Sequence, residues 1–462
     1  MPNYLSEDTI AALATSLGGA ISIVRVSGPQ AFVAFKKLTG LAPSDFRSMV
    51  RAQLQTWDKK PLDEILCVCF QNPQSYTGED LVEYHLHGNA QIAYELMQSL
   101  AQLQVRQALA GEFSFRAVKN GKMTLFQAQA VADLMQAHNT QAIALALEKL
   151  EGKFNPRLEH LGKELRTIAM LSELGIDFSD QDIEECSLKE LKKRLQETQK
   201  LLTQLEQGYF RGKFLQEGIP LSICGLPNAG KSTLFNLLLQ EERSIVSPQA
   251  GTTRDLVSEM LTLKNAQKSI TLRLEDTAGW RKTQNPIEKK GIQKTQHSIQ
   301  NAKLILWLVE APALTAPERI KKIRTQWKTL QQVSPDLSSK TIGVLTKTDL
   351  HCGDPGTLGL EKIPWVLMNQ KDPESLSTLT EAILHFCDFC TPEPEEVLLT
   401  RLEHWQCVTE ALTHLRRAQD AEDHVLFACD LKQALGSLTP LIGETICEDL
   451  LESIFSHFCI GK

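Results

Sequence analysis

The order of hydrophobic and polar positions divides the chain into four stretches. In residues 1–120, short apolar runs typical of strands, at 21–26 and 65–70, alternate with turn-forming sequence such as 75–80. Strand, turn and helical segments mixed in this way are typical of a compact α+β domain. We therefore predict an N-terminal α+β domain in this stretch.

Residues 121–213 and 386–462 share a different pattern, in which apolar residues recur three and four positions apart. This spacing places the side chains on one face of a helix. The first stripe is Leu158, Leu161, Leu165 and Ile168, continued by Leu188, Leu191, Leu195, Leu202 and Leu205, and the second is Leu398, Leu402, Trp405, Val408, Leu412 and Leu415. We interpret the first stripe as the buried face of helices, and the second as one face of a further helix.

Residues 214–385 alternate nearly continuous apolar runs with polar helical segments. The predicted strands lie at 221–224, 270–274, 304–309, 342–345 and 365–368. Such runs indicate a mainly parallel sheet that is covered on both faces. Because helical sequence flanks this stretch on both sides, we predict a multidomain α+β and α/β fold, with the α/β domain inserted into one helical domain.

Composition and charge exclude some classes of protein. The chain has 462 residues, with 49 Lys and Arg against 56 Asp and Glu and a net charge of −7, so it does not bind nucleic acid mainly through overall positive charge. Much of the acidity follows residue 390, where 13 acidic residues accompany 5 basic ones. The remainder of the chain is nearly neutral, so a local basic groove or a nucleic-acid substrate is not excluded.

Targeting and cysteine patterns favour a cytoplasmic protein. The N-terminus lacks the basic flank and apolar core of a signal peptide, and no run reaches the ~18–20 apolar residues of a membrane span. The 11 cysteines are irregularly spaced, which argues against a disulfide framework. We interpret the lone CxxC pair, Cys387 and Cys390, as ordinary helix cysteines rather than a metal or redox site.

One motif in the α/β stretch carries recognisable chemistry. It follows a predicted strand, opens a predicted helix at 233–240, and fits the pattern G-x-x-x-x-G-K-[ST] with Gly225, Leu226, Pro227, Asn228, Ala229, Gly230, Lys231 and Ser232. The backbone N–H groups of such a loop and the helix N-terminus bind phosphate. We expect Lys231 to reach the β- and γ-phosphates and the Ser232 hydroxyl to ligate Mg²⁺.

Three further elements follow in the order that a GTPase requires. The first, at 251–255, offers Thr253 as a second Mg²⁺ ligand, and the second, at 276–279, offers Asp276 to the metal shell and the Gly279 N–H to the γ-phosphate. The third, at 346–349, ends with Asp349, whose carboxylate accepts hydrogen bonds from guanine N1 and N2 that adenine cannot offer. Together the four elements predict GTP as the nucleotide.

The group that usually positions the attacking water is missing. Trp280 follows Gly279 where a glutamine is usual, and Arg254 is no obvious arginine finger. Either the protein is a slow switch, or the missing groups come from elsewhere in the chain, from a partner subunit or from a bound cation. The alternative is a non-catalytic GTP-gated scaffold, such as a ribosome-assembly factor.

Motifs in all four stretches make the chain resemble the MnmE (TrmE) family of tRNA modification GTPases over nearly its whole length. They lie at 8–12, 25–28, 77–80, 87–88, 111–117, 120–122 and 127–130, and end with Cys459, Ile460, Gly461 and Lys462. Generic GTPases lack that C-terminal Cys-x-Gly-Lys. The resemblance implies a folate-binding and dimerisation domain at 1–120, a helical domain at 121–213 and 386–462, and a Ras-like P-loop GTPase domain at 214–385.

The resemblance also implies which groups replace the missing arginine finger and the missing water-positioning glutamine. It implies that K⁺ takes the role of the arginine finger, and that Glu288 steers the attacking water, with Lys231 and Gly279 as further catalytic residues. The implied K⁺ ligands are Asn228, Ser247, Gln249 and Thr252. The implied GTP contacts are Asn228, Ala229, Gly230, Lys231, Ser232, Thr233, Ser247, Thr252, Thr253, Asp276, Thr277, Ala278, Gly279, Thr346, Lys347 and Asp349.

The substrates and partners implied by the resemblance are those of wobble-uridine modification. They are a tRNA substrate, a homodimer, and an FAD-dependent partner of the MnmG type in a hetero-oligomer. The one-carbon donor is 5-formyl- or 5,10-methylene-tetrahydrofolate, with Arg25, Glu83, Lys122 and Lys462 as its implied ligands. Cations suit its glutamate tail and a carboxylate suits its pterin ring. Cys459 is implied near the modification site, although on local sequence it is equally a small buried residue.

Several positions depart from the family pattern. Thr346 replaces an asparagine whose amide braces the nucleotide pocket, which puts GTP affinity in question more than guanine preference. The loop at 14–20 is one residue short and lacks an arginine, and Ala110 replaces a proline. The last guanine-loop element is not recognisable at 368–370.

Overall fold

The computed structural model describes residues 8–152, 155–177, 187–241, 259–265, 269–274, 298–351, 353–388, 398–442 and 461. The chain divides into two compact units. The first unit comprises residues 1–135, 146–188 and 421–462, and the second comprises 136–145 and 189–420. The four-part division drawn from the sequence stays a prediction.

The first unit is built on a six-stranded sheet. Its strands are β1 (Ile10–Leu13), β2 (Ile21–Ser27), β3 (Met49–Gln55), β4 (Pro61–Phe70), β5 (Leu81–His87) and β6 (Arg106–Gln107), in the order β3-β4-β5-β2-β1-β6. All neighbours are antiparallel except the parallel pair β1 and β6. Alternate residues of β2 are buried, as expected of a strand with one covered face.

Two helices supply part of the core over this sheet. They are α1 (Ala31–Thr39) and α2 (Ala90–Gln102). Their apolar faces share one hydrophobic cluster with the strands, including Phe35, Tyr84 and Leu96. The predicted α+β character of this region is confirmed.

The first unit also contains helices outside this core. They are α3 (Glu112–Lys119), α4 (Leu125–Gln136), the C-terminal part of α5 (Thr140–Leu150), α6 (Asn155–Asp177) and α12 (His424–Ile442). Helices α6 and α12 pack against each other. A Cβ at Gly162 would lie 2.7 Å from the Ile442 Cγ2 atom, so a glycine there permits close packing.

Helix α12 is long and apolar enough to cross a membrane by length and composition. Its apolar residues nevertheless form a buried stripe, Phe427, Leu431, Ala434, Leu438 and Leu441. The spacing of three and four is that of a helix with one core-facing side. We interpret α12 as a helix with one core-facing side rather than a membrane span.

The second unit is built on a mainly parallel six-stranded sheet. Its strands are β7 (Ile219–Gly225), β8 (Glu259–Lys264), β9 (Ser269–Leu274), β10 (Leu304–Glu310), β11 (Thr341–Thr346) and β12 (Trp365–Leu367), in the order β12-β11-β10-β7-β9-β8. Only β8, which the sequence analysis missed, runs antiparallel to its neighbour. All five predicted strands are confirmed.

Both faces of this sheet are covered, as predicted. Leu304, Leu306 and Leu308 of β10 enter one hydrophobic cluster, whereas Ile305 and Trp307 enter another. The helices of this unit are α7 (Leu188–Glu217), α8 (Lys231–Glu241), α9 (Pro317–Val333), α10 (Pro373–Phe386) and α11 (Leu402–Asp420). The parallel strands β7, β11 and β12 end at one edge of the sheet, where ligands bind in open α/β folds.

Candidate nucleotide and cofactor sites

The phosphate-binding motif forms the turn between β7 and α8, as predicted. Gly225 has φ 151°, and a Cβ there would lie 2.5 Å from the Leu308 carbonyl oxygen. Gly230 has φ 87°, and Asn228 is a non-glycine residue in the left-handed region at φ 66°. The chain thus bends sharply before the N-terminus of α8, where free N–H groups favour anions.

Lys231 lies at the first position of α8 and folds back over the loop. Its Nζ atom donates to the carbonyl oxygens of Gly225 and Leu226, each at 2.9 Å. Burial lowers the pKa of Lys231 below the ordinary 10.5. The ammonium group therefore lies inside the loop on neutral acceptors, and a phosphate offers it a stronger partner.

Thr346, at the end of β11, ties residues 346–349, the base-reading segment predicted from the sequence, to the phosphate loop. Its hydroxyl lies 3.0 Å from the Ala229 carbonyl oxygen, to which it donates, and 3.3 Å from that of Val309. The side chain is buried. The departure from asparagine noted in the sequence therefore keeps a brace to the loop, made by a hydroxyl in place of an amide.

A cavity of ≈ 280 Å³ joins the two segments. It is lined by Gly230, Thr233, Leu234, Leu237, Thr346, Lys347, Asp349, Leu350, Met368, Gln370 and Lys371. The predicted residues Gly230, Thr233, Thr346, Lys347 and Asp349 thus share one space. Its size suits a purine ring, and Asp349 supplies the carboxylate predicted to read guanine.

Two lysines at this cavity pair with carboxylates. The Asp349 Oδ2 atom lies 3.4 Å from the Lys371 Nζ atom, and Lys371 is largely exposed. Lys347 has φ 58° and its Nζ atom lies 3.1 Å from the Glu310 Oε1 atom. Because Lys371 is exposed, its ion pair with Asp349 is weak and easily exchanged for a base.

The sequence analysis missed several residues of the cavity. Met368, Gln370 and Lys371 come from the segment in which the last guanine-loop element was not recognised, and Leu237 and Leu350 add apolar walls. The Thr348 hydroxyl donates to the Met368 carbonyl oxygen at 3.1 Å, which joins the two loops. Topology could have found this segment, because β12 pairs in parallel with β11 and ends at the same edge.

In the first unit, Arg25 and Glu83 face each other across β2 and β5. The Arg25 Nε and Nη2 atoms donate to Glu83 Oε1 at 2.9 and 2.7 Å. The guanidinium carbon also lies 5.4 Å from the centre of the Tyr76 ring and 5.8 Å from that of Phe113. The structure therefore brings two of the predicted folate residues together on an aromatic platform.

Beside this pair lies a buried charge network centred on Arg116. The guanidinium, 1% exposed, donates to Asp8 Oδ1 at 2.6 Å and to Glu112 Oε1 at 3.0 Å, and lies 3.3 Å from Glu79. Arg106 binds Asp8 and Glu112 as well, at 2.7 and 2.6 Å. Asp8, Glu79, Glu112 and Arg116 come from motifs that carry the family resemblance, whereas Arg106 does not. The network holds α3 against the sheet.

Lys122, the third predicted folate residue, lies by the loop that follows β4. A Cβ at Gly78, which has φ 78°, would lie 3.1 Å from the Lys122 Cγ atom, so the glycine lets the lysine stem pack on the loop. Lys122 lines a cavity of ≈ 420 Å³ with Arg47, Phe70, Gln74, Ser75 and Tyr76. Of these, the sequence analysis singled out only Lys122.

The C-terminal motif is represented by Gly461. This residue is buried, and a Cβ there would lie 2.4 Å from the Leu13 carbonyl oxygen, at the end of β1. The loop at 14–20 packs closely too, because a Cβ at Gly88 would lie 1.7 Å from the Gly19 carbonyl oxygen. The structure therefore places the residue before Lys462 beside the N-terminal sheet.

Several predicted site residues lie outside the described part of the chain. They are Ser247, Gln249, Thr252, Thr253, Asp276, Thr277, Ala278, Gly279, Glu288, Cys459 and Lys462. Cys390 lies outside it as well, whereas Cys387 is buried and burial raises its pKa to about 12. Within the described ranges, no group of three or more His, Cys, Asp or Glu side chains could hold a metal.

Comparison with known families yields two matching models. One, described as "MnmE helical domain", matches residues 125–459, and the other, described as "GTP-binding protein TrmE N-terminus", matches residues 9–122. Together they cover most of the chain.

Curated relatives match over nearly their whole length. A tRNA modification GTPase MnmE from Christiangramia forsetii is 33% identical, with 98% of this chain and 99% of that protein covered. The one from Natranaerobius thermophilus is 35% identical, covering 99% and 100%. Among solved structures, the G domain of the T. maritima FeoB iron transporter covers 37% of this chain and 98% of its own, at 19% identity and a TM-score of 0.26.

Proposed function

The chain belongs to the MnmE family of tRNA modification GTPases, and from that premise we propose that it is a potassium-activated enzyme that hydrolyses GTP to GDP and phosphate. With a flavin-dependent partner of the MnmG type, it installs an aminomethyl-type group at C5 of the wobble uridine of certain tRNAs. In this proposal residues 1–120 bind folate and dimerise, 214–385 bind GTP, and 121–213 with 386–462 form the helical domain.

The observation that carries the GTPase assignment is the shared cavity at the sheet edge. Gly230 of the phosphate loop and Asp349 of the base-reading segment line the same space. A nucleotide can therefore place its phosphates on the loop while its base meets the carboxylate. Guanine supplies donors to Asp349 at N1 and N2, and adenine would leave the carboxylate unpaired, which is costly.

In this proposal, GTP binding replaces hydrogen bonds and ion pairs within the protein by contacts to the nucleotide. Lys231 gives up the carbonyls of Gly225 and Leu226 for the β- and γ-phosphates, and Asp349 gives up Lys371 for guanine. Thr346 keeps its bond to Ala229 throughout. The backbone N–H groups of the loop then hold the phosphates in one geometry, which is the main protein contribution to phosphoryl transfer.

Oxygen donors suited to two cations accompany this loop. Ser232, exposed at the start of α8, would hold Mg²⁺ with Thr253, and Asn228, exposed at the loop bend, would hold K⁺ with Ser247, Gln249 and Thr252. Hydroxyl, amide and carbonyl oxygens are the ligands that such cations prefer. When bound, the cations offset charge that develops on the phosphate oxygens, and Glu288 orients the attacking water.

The N-terminal domain binds the one-carbon donor, 5-formyl- or 5,10-methylene-tetrahydrofolate, in this proposal. Its residues are Arg25, Glu83, Lys122 and Lys462, and Cys459 lies near the reacting group. The paired Arg25 and Glu83 on the rings of Tyr76 and Phe113 offer charged and aromatic surfaces that fit a pterin. These side chains bind and orient the donor, which supplies the carbon unit.

The proposed assembly is a cytoplasmic homodimer that joins the flavin-dependent partner in a hetero-oligomer. Dimer contact and K⁺ together order the segments after the phosphate loop, so GTP turnover is gated by assembly. Because the chain carries a net charge of −7, its affinity for tRNA depends heavily on the flavin-dependent partner.

The test of the proposed GTPase is hydrolysis by the full-length protein in KCl and in NaCl at equal ionic strength. We expect a rate at least about tenfold higher in KCl. Glu288→Ala abolishes hydrolysis and spares GTP binding, whereas the control Glu318→Ala, at the start of α9, behaves as wild type. Equal and negligible rates in both salts would overturn the enzyme and leave the GTP-gated scaffold.

A further inference from the structure

Two cations of the first unit differ from the arginines of the buried network. Arg25, Arg106 and Arg116 each bind carboxylates. Arg47 and Lys122 have no acidic partner within the described residues, and the Arg47 guanidinium donates only to the Gln74 carbonyl oxygen, at 3.3 Å. Cations without a carboxylate partner attract anions from solution.

Two carboxylates that follow the cavity residues Gln74, Ser75 and Tyr76 in the chain are already bonded to the protein. Glu79 accepts from the Ser27 hydroxyl at 2.7 Å and binds Arg116, and Asp80 accepts from the Asn72 N–H at 2.9 Å. These carboxylates are therefore held by other partners. Arg47 and Lys122 line the same cavity of ≈ 420 Å³, so their charges add within it.

The walls of this cavity are fixed by the fold. The Arg47 N–H donates to the Cys69 carbonyl oxygen at 2.9 Å, which anchors the arginine to β4. The Asn120 side chain donates to the Thr77 carbonyl oxygen at 2.7 Å, and the Lys122 stem packs on Gly78. Both cations are thus presented from anchored backbone, which reduces the entropy lost when an anion binds.

Tyr76 connects this cavity to the proposed pterin site. Its ring lies under the Arg25 guanidinium, and the same residue lines the cavity beside Lys122. A ligand held at Arg25 and Glu83 can therefore extend along Tyr76 to the two cations. Phe70 adds a second aromatic wall.

We propose that the cavity is a subsite for a chain of carboxylates, the oligo-γ-glutamyl tail of a tetrahydrofolate, with Arg47 as a specificity-determining residue. This inference rests on the proposed folate site. A guanidinium binds carboxylates through two parallel hydrogen bonds. Arg47 therefore increases the affinity for tails that carry more glutamates. A concave site with two cations and aromatic walls suits such a tail better than a nucleic-acid backbone, whose affinity comes from neutralising many phosphates.

The experiment compares the affinity of the full-length protein for 5-formyl-tetrahydrofolate with one and with five glutamates, by titration calorimetry. We expect wild type to bind the pentaglutamate about tenfold more tightly. Arg47→Gln should lose affinity for the pentaglutamate far more than for the monoglutamate. The control is Arg51→Gln, which removes an equal charge from β3 but from a residue already paired with Glu64, and it should keep the wild-type preference.

The outcomes separate the subsite from the folate site itself. Equal affinities of wild type for both forms, or a preference kept by Arg47→Gln, would overturn the subsite. Failure to bind either form would overturn the proposed folate site. A loss of tRNA affinity in Arg47→Gln with the folate preference unchanged would assign the cations to RNA and overturn the tail subsite.

Discussion

The two units use positive charge in opposite ways. In the first unit, the buried Arg116 is surrounded by the carboxylates of Asp8, Glu79 and Glu112. In the second unit, the half-buried Lys231 contacts the neutral carbonyls of Gly225 and Leu226. The first cation is surrounded by carboxylates of the protein, whereas the second donates to neutral carbonyls that a phosphate can replace.

This difference distinguishes a structural charge from a binding charge. A buried ion pair that loses one partner leaves an uncompensated charge and is strongly destabilised. A lysine on carbonyls loses modest hydrogen bonds and gains charge-assisted ones when phosphate arrives. Arg47 and Lys122 follow the second pattern, although they lie in the unit that holds the network.

The largest expected effect is on the stability of the first unit. Arg116→Ala removes a buried cation from three carboxylates, Asp8, Glu79 and Glu112, of which Glu112 keeps its bond to Arg106. We expect a loss of about 3–5 kcal/mol in the free energy of unfolding. Hydrogen exchange of the amides in β1 and β2 measures it. The control Arg51→Ala breaks an exposed pair with Glu64 and should cost about 1 kcal/mol or less. Similar losses for both variants would contradict the distinction.

The next effect is on nucleotide binding and hydrolysis in the second unit. Lys231→Ala removes the cation for the β- and γ-phosphates, and we expect GTP hydrolysis to fall roughly 100–1,000-fold. The free energy of unfolding should change little, because the hydrogen bonds to the Gly225 and Leu226 carbonyls are made to neutral acceptors. Lys321→Ala, an exposed lysine on α9, should leave turnover intact. A variant that hydrolyses GTP normally would show that Lys231 is not a binding charge.

Base selection is expected to follow Asp349. Asp349→Asn replaces an acceptor with a group that also donates, so GTP affinity should fall roughly 10–100-fold. Xanthosine triphosphate, which carries a carbonyl where guanine has an amino group, should lose much less. Competition between the two nucleotides measures the change, with Glu361→Gln as an exposed control. An unchanged preference for GTP would place base recognition elsewhere in the cavity.

A smaller effect should reveal the brace between Thr346 and the phosphate loop. Thr346→Val keeps the shape but leaves the Ala229 carbonyl without its donor, so we expect GTP affinity to fall about tenfold. Thr346→Ser keeps the hydroxyl and should bind nearly as wild type. Equal losses in the two variants would indicate packing rather than the hydrogen bond.

The smallest effect concerns acid stability. Burial raises the pKa of Asp8, but hydrogen bonds from Arg106 and Arg116 outweigh it and hold the pKa below the ordinary 3.8. Stability from this carboxylate is therefore present above that value and is lost as pH falls through the lowered pKa. Unfolding of wild type and Asp8→Asn should differ at neutral pH and converge in acid. A difference that does not vary with pH would contradict the linkage.

The features that could be predicted from the sequence are those whose signal lies within a short stretch of the chain. The phosphate loop could be predicted because glycines, a lysine and a hydroxyl within eight residues bind phosphate only between a strand and a helix. The strands of the second sheet were predictable because their apolar runs are almost continuous. Strand β8 was missed, since it lies at the edge of the sheet and its sequence mixes Thr262 and Lys264 with apolar residues.

Features that depend on contacts between residues far apart in the sequence could not be predicted. The sequence around Arg47 and Tyr76 does not identify them as site residues. Their shared cavity forms only when residues before β3, after β4 and after α3 come together. The brace made by Thr346 is likewise invisible, since its partner lies 117 positions away. Arg25 and Glu83 could be named through the family resemblance, but their direct pairing depends on the register of β2 and β5.

The most direct test of the proposed function is nucleoside analysis of tRNA from cells that lack this protein. We expect wobble uridines without the C5 group, and we expect the wild-type protein to restore the group and Lys231→Ala at equal expression not to restore it. Fully modified wobble uridine in cells without the protein would show that this protein does not perform the modification.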